Sequence, residues 1–191
     1  MKTNGKYKKW IDATYQEFAI NGPDFSLKAL SKKTKLPRAT FYYHFESKDH
    51  LVEELLKHHY QKNKAFQSEL KKIKELIPEL YVLMHKYRDA VRFHQQLLRN
   101  SHIREFYEVY SSYNQSSIKI MLPLIKPYFG KDPTDDEIFQ FYNTLTDAWY
   151  SRLNFSVLSV EYMINLAEEI MNKTIGLYHK NQPNSVKYFQ Y

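Results

Sequence analysis

The chain has 191 residues, a formal net charge of +7 and no cysteine, so disulfides, thiolate metal sites and a thiol nucleophile are excluded. Its 43% hydrophobic residues suffice to bury a core, and only four glycines and seven prolines break the chain, which favours helices over a many-turned sheet. No apolar run approaches the roughly 20 residues that span a bilayer, and "MKTNGKYKKW" lacks the apolar segment of a secretory signal; a cytoplasmic protein away from the membrane is expected.

Residues 7–20, "YKKWIDATYQEFAI", place Trp10, Ile11, Ala13, Thr14 and Phe18 at helical spacing, and Asn21-Gly22 closes the pattern as a C-cap. After the turn "GPDF", Ser26 offers an N-cap to a short helix with Leu27 and Leu30 on its inner face. That helix must stop near Thr34-Lys35, because the residue before Pro37 is disfavoured in helical backbone. Pro37 suits the first turn of a third helix, in which Phe41 and Phe45 form an inward i, i+4 pair. Ser47 caps the next helix. Further helices are expected at 48–66, 72–87, 88–99, 102–126, 135–154 and 158–179. Pro78 marks a kink or the true start of the second of these, and Pro123 a kink or end of the fourth. Thr134 with Glu137 makes a capping box, and the tail "HKNQPNSVKYFQY" has no helical period. The fold class is all-α. A helix-turn-helix unit spans residues 1–47, and a larger helical body spans 48–191.

Charge divides unevenly along this plan. Residues 1–50 hold ten Lys and Arg against five Asp and Glu, a net of +5, while the rest holds 18 against 16, a net of +2. A basic N-terminal unit on a near-neutral body points to a polyanionic partner, although generic solubilising charge reads the same way. Projection of 37–45 at 100° per residue turns Phe41 and Phe45 inward and Ala39 and Tyr43 outward, with Thr40 and Tyr42 flanking them. Small Ala39 permits close approach to a major groove. Arg38 can fork onto a guanine edge, and Thr40 can bond to a base or phosphate. Tyr42 and His44 can send polar tips to phosphates, and Lys48 adds a cation beside helix-start amides. An ordinary helical corner with exposed tyrosines remains the plain alternative. The basic arm Lys2, Lys6, Lys8 and Lys9 either meets DNA or is simply solvated.

"IDATYQEFAINGPDFSLKALSKKTKLPRATFYYHFESKDHL", Ile11 to Leu51, resembles the DNA-binding domain of the TetR/AcrR family of bacterial regulators. The most specific segment is "TFYYHFESKDHL". The resemblance implies base-reading positions at Arg38, Ala39, Thr40 and Tyr43, and phosphate contacts at Ser26, Tyr42, His44 and Lys48. Three departures stand out: Lys35 where the family has Gly, Pro37 where it has a small polar cap, and a loop after Gly22 about one residue shorter than common. The Lys35 exchange requires a non-glycine residue to accept the turn geometry.

Apolar stripes run along the last two helices, through Ile138, Phe141, Tyr142, Leu145 and Trp149, then Met163, Leu166, Ala167, Ile170, Thr174, Leu177 and Tyr178. Burial in their own domain would explain them. The resemblance implies a homodimer interface, here carried by Phe141, Leu145, Trp149, Met163, Leu166 and Ile170, with Phe139 and Tyr150 on a second stripe. The middle helices are rich in rings. An aromatic stripe is more often core than pocket, but the resemblance implies a small-molecule effector site, and Tyr81, His85, Phe93, Phe106, Tyr107, Tyr110 and Tyr113 are its candidates. His58-His59 have poor metal geometry, and neither a metal nor a cofactor is expected. The reading is a dimeric transcription regulator, a repressor of a palindromic double-stranded DNA operator that a small molecule releases. A helical enzyme, or a small-molecule-binding protein with a merely structural N-terminal unit, is the alternative, and a nucleoid or RNA-binding protein a third. No paired acidic motif, phosphate loop or activated nucleophile favours the enzyme.

Overall fold

The structure is a computed structural model that describes residues 5–128 and 133–180. Among them the helices are α1 (Gly5–Asn21), α2 (Leu27–Thr34), α3 (Arg38–His44), α4 (Lys48–Leu70), α5 (Tyr81–Lys86), α6 (Arg88–Arg99), α7 (Arg104–Ile125), α8 (Asp135–Arg152) and α9 (Val160–Lys180). Lys2, most of the C-terminal tail and part of the 129–137 connector lie outside the described residues, as do the side chains of Leu177 and Tyr178.

Local chemistry sets most boundaries. Gly22 follows α1 at φ +64°, its N–H donating to Phe18 O at 2.7 Å. Ser26 Oγ accepts from Ala29 N at the head of α2. Lys35 then sits in left-handed backbone at φ 57°, ψ 32°, a conformation usually left to glycine. The capping box at α8 is present: Thr134 Oγ1 accepts from Glu137 N, while Glu137 Oε2 accepts from Thr134 N. These backbone and hydroxyl bonds hold the Glu137 carboxyl below its ordinary range. Pro123 stands in the last turn of α7, which ends two residues later.

The helix expected at 72–87 is shorter than that. Ile77, immediately before Pro78, is extended at φ −117°, ψ 126°, as the steric demand of the proline ring requires. The chain makes an irregular turn at Leu76–Leu80, and α5 starts at Tyr81. The Glu79 carboxylate accepts from the Lys74 and Glu75 amides at 2.6 and 3.3 Å, which closes this turn.

The described residues group into two packing units, one of those up to 66 with 87–111, the other of 67–86 with those from 112 on. This grouping cuts the chain elsewhere than 47/48, because α6 packs along α1. In the first unit the Phe93 ring stacks on Tyr15 at 4.4 Å and on Phe18 at 4.3 Å, and Phe106 meets Phe18 edge-on. Gln96 Nε2 donates to Ile20 O at 3.0 Å, satisfying a carbonyl at the end of α1. In the second unit α8 and α9 pack together through Ile138, Leu145, Trp149, Met163, Leu166 and Ile170, all buried. The Trp149 indole donates to Met163 O at 3.1 Å, and Arg152 pairs with Glu169 at 2.7 Å.

Candidate nucleic-acid interface

Helix α3 is seven residues long, too short to hold itself together in water, so its neighbours must fix it. Its inner face carries Phe41 and Phe45, both 1% exposed. Trp10 of α1 meets Phe41 edge-on at 5.5 Å, and Tyr7 stacks on Phe45 at 5.4 Å. The Tyr7 hydroxyl donates to Glu54 Oε2 of α4 at 2.6 Å. Burial and that carboxylate push the Tyr7 hydroxyl up to about 12. Burial alone would raise the Glu54 carboxyl, but the bonds from Lys57 and Tyr7 outweigh it and lower it. One tyrosine therefore ties α1, α3 and α4.

The outer face of α3 is open. Arg38 and Ala39 are exposed, Tyr42 is 63% exposed and Tyr43 80%. Both rings project from a short helix anchored on its other side, with their apolar faces in water. Thr40 differs from the sequence-based expectation. Its hydroxyl donates to Pro37 O at 2.6 Å and accepts from Trp10 Nε1 at 3.3 Å. With its only proton committed, Thr40 has none for a phosphate oxygen.

The expected phosphate-contact residues surround this face. Ser26 is exposed at the head of α2; its oxygen accepts from Ala29 N, leaving the hydroxyl proton free to be donated. His44 is half-buried, edge-on to Tyr43 and Tyr7, and its Nε2 is shut from solvent with no hydrogen-bond partner. A phosphate contact from this ring needs Nδ1 or a rotation of the ring. Lys48 opens α4, where Ser47 Oγ accepts from His50 N, and the Lys48 ammonium lies 4.5 Å from the centre of the Phe25 ring. That cation–π contact fixes the lysine stem beside the helix-start amides. Lys6, Lys8 and Lys9 lie on the first turns of α1 rather than on a loose arm, and Lys8 pairs with Asp12.

The other two expected sets fare differently. Phe93, Phe106 and Tyr110 are buried in the first unit, where Tyr110 stacks on His94, and Tyr107 is exposed. Tyr81 and Tyr113 are buried and His85 half-buried among the residues of the second unit. The seven do not share one packing unit. Of the six expected interface residues, Leu145, Trp149, Met163, Leu166 and Ile170 are buried inside the second unit, Met163 completely. They pack in the core of their own unit and keep only a few per cent of their area for a partner. Phe141 alone is half-buried, as is Phe139, whereas Tyr150 is buried.

Residues 11–55 match the model of the bacterial regulatory proteins of the tetR family. The fold is similar to a crystal structure of a transcriptional regulator of the TerR/AcrR family from Aquifex aeolicus VF5, with a TM-score of 0.56 and 15% identity over 91% of this chain and 99% of that one. No curated protein sequence matches. Among the described residues no helix is long and apolar enough to cross a membrane. Regulators of this family bind DNA and are not enzymes, which sets the enzyme alternative aside. With the matched segment coinciding with α1 to α3 and the start of α4, residues 11–55 form a DNA-binding domain of the tetR family type.

Proposed function

We propose that this regulator is a dimeric repressor that reads a palindromic operator through α3 and leaves it when a small molecule binds. The observation that carries the reading is the open face of α3: Arg38, Ala39 and Tyr43 exposed on a helix whose other side is held by Phe41 and Phe45. Arg38, Ala39 and Tyr43 face base edges, and Ser26, Tyr42, His44 and Lys48 face the flanking phosphates. The functional division falls at 47/48, with DNA reading before it and dimerisation and effector binding after it. The working compartment is the cytoplasm, where such a regulator meets its operator.

A homodimer through α8 and α9 is supported by what the core leaves over. Half-buried Phe139, Phe141, Ile164 and Met171 keep apolar area partly open on the helix pair. For the effector, Tyr81 and Tyr113 of the second unit are the better-placed candidates. Tyr81 is buried 6.2 Å from the Trp149 ring, and burial, then Tyr142, Tyr128 and Glu168, push its hydroxyl upward so that it stays protonated. A neutral phenol beside an indole suits an apolar molecule with one hydrogen-bonding group.

The test uses a duplex enriched by the protein from a random-sequence pool and a scrambled duplex of the same composition. Arg38→Ala should cost roughly 1–3 kcal/mol on the enriched duplex and much less on the scrambled one. A uniform loss on both would show that Arg38 holds backbone and that α3 is docked the wrong way.

A further inference from the structure

Helix α3 starts without the usual device. Its N-cap is Pro37, which has no side-chain acceptor, and no side-chain capping bond is made there. Thr40, in the first turn, takes over part of the task. Its N–H and its hydroxyl both donate to Pro37 O, at 2.9 and 2.6 Å. The same hydroxyl oxygen accepts the indole N–H of Trp10 at 3.3 Å.

Trp10 is in a position to transmit orientation. It is fully buried, its ring is pinned edge-on by Phe41, and its carbonyl accepts the Thr14 hydroxyl at 2.7 Å. A buried indole N–H needs an acceptor, and Thr40 supplies it. The ring therefore sits correctly only when the first turn of α3 has one rotational setting about its axis. That setting aims Arg38 and Ala39, the residues next to Thr40 in the same turn.

We propose that Trp10 is a positioning residue for base reading, acting through the Thr40 hydroxyl to set the first turn of α3. The inference rests on α3 being the groove-bound helix. Trp10 lies outside the family-matched residues 11–55, and its role follows from its bond to Thr40. At 3.3 Å the bond is long, so its effect is that of one ordinary neutral hydrogen bond, about fivefold, rather than of a lost base contact.

The full-length protein is titrated on the enriched and scrambled duplexes at one salt concentration. Trp10→Phe keeps a ring and removes the N–H. It should lower the ratio of specific to non-specific affinity about fivefold and leave scrambled-duplex affinity in place. Thr40→Ser should keep the ratio, and Thr40→Val should lower it. Trp10→Phe should cost nothing further in the Thr40→Val background, because the bond is already gone. Where Trp10→Phe does not fold, the indole N–H resonance of Trp10 replaces it. Thr40→Val should shift that signal as it lowers the ratio, and Thr40→Ser should move neither. An unchanged ratio in folded Trp10→Phe, additive losses in the double variant, or a lowered ratio in Thr40→Val with the indole signal unmoved would each overturn the inference. Arg38→Ala separates the layers. If it lowers the ratio while Trp10→Phe does not, only the inference falls. If it too leaves the ratio unchanged, the groove reading fails and takes the inference with it.

Discussion

His59 Nε2 lies 3.4 Å from His94 Nδ1 in the interior of the first unit, and the Tyr15 hydroxyl lies 2.8 Å from His59 Nδ1. Two arrangements of neutral imidazoles satisfy both contacts: Tyr15 donates to His59 Nδ1 and His59 Nε2–H to His94 Nδ1, or His94 Nδ1–H donates to His59 Nε2 and His59 Nδ1–H to the Tyr15 oxygen. Burial first, then the neighbouring His94 and His58, hold the His59 imidazole well below its ordinary range. A group with a depressed folded value binds its proton more readily in the unfolded chain, so stability falls as pH drops below the unfolded value of about 6.5. The urea midpoint should be flat from pH 8 to 7 and fall towards pH 5. Replacing His59 with Gln should flatten that fall, and an equally steep fall in the variant would assign it to other groups.

Among the described residues, the two with positive φ, Gly22 and Lys35, should respond in opposite directions. At Gly22 a Cβ would meet Asn100 Nδ2 at 3.0 Å and Gln96 Oε1 at 3.1 Å, on top of the left-handed backbone. Gly22→Ala should therefore destabilise by about 1–2 kcal/mol. Lys35 already bears the left-handed cost, so Lys35→Gly should stabilise by up to about 1 kcal/mol. Denaturant titration of the two variants checks the pair of signs.

Lys48 should behave as a holder of backbone. Lys48→Ala should weaken the enriched and scrambled duplexes alike and reduce the slope of log K against log salt by about one. The loss of its contact with Phe25 should appear separately, as a small fall in thermal stability. A change in the specificity ratio would move Lys48 from phosphate to base.

A homodimer should scatter light as twice 23.1 kDa at micromolar concentration. Ile164→Glu, at a half-buried position of α9, should shift the mass towards the monomer with helicity retained. Leu166→Glu should instead unfold the protein, because Leu166 is already core. Equal behaviour of the two variants would argue against an interface on this face.

What the sequence settled by itself was local. The inward pair Phe41 and Phe45, the C-cap at Gly22, the capping box at Thr134 and Glu137, and the forced turn at Lys35 all depend on residues three to five apart, whose geometry the backbone dictates. The open face of α3 follows from the same arithmetic. What only the tertiary structure decided was which partner covers each face. An apolar stripe says that Met163, Leu166 and Ile170 must be covered, but not whether by their own unit or by a second chain, and their own unit covers them. The Tyr15–His59–His94 relay and the Trp10–Thr40 bond join side chains thirty or more residues apart, and no spacing rule predicts which donor meets which acceptor at that range. Periodicity specifies the face of a helix; only packing specifies its neighbour.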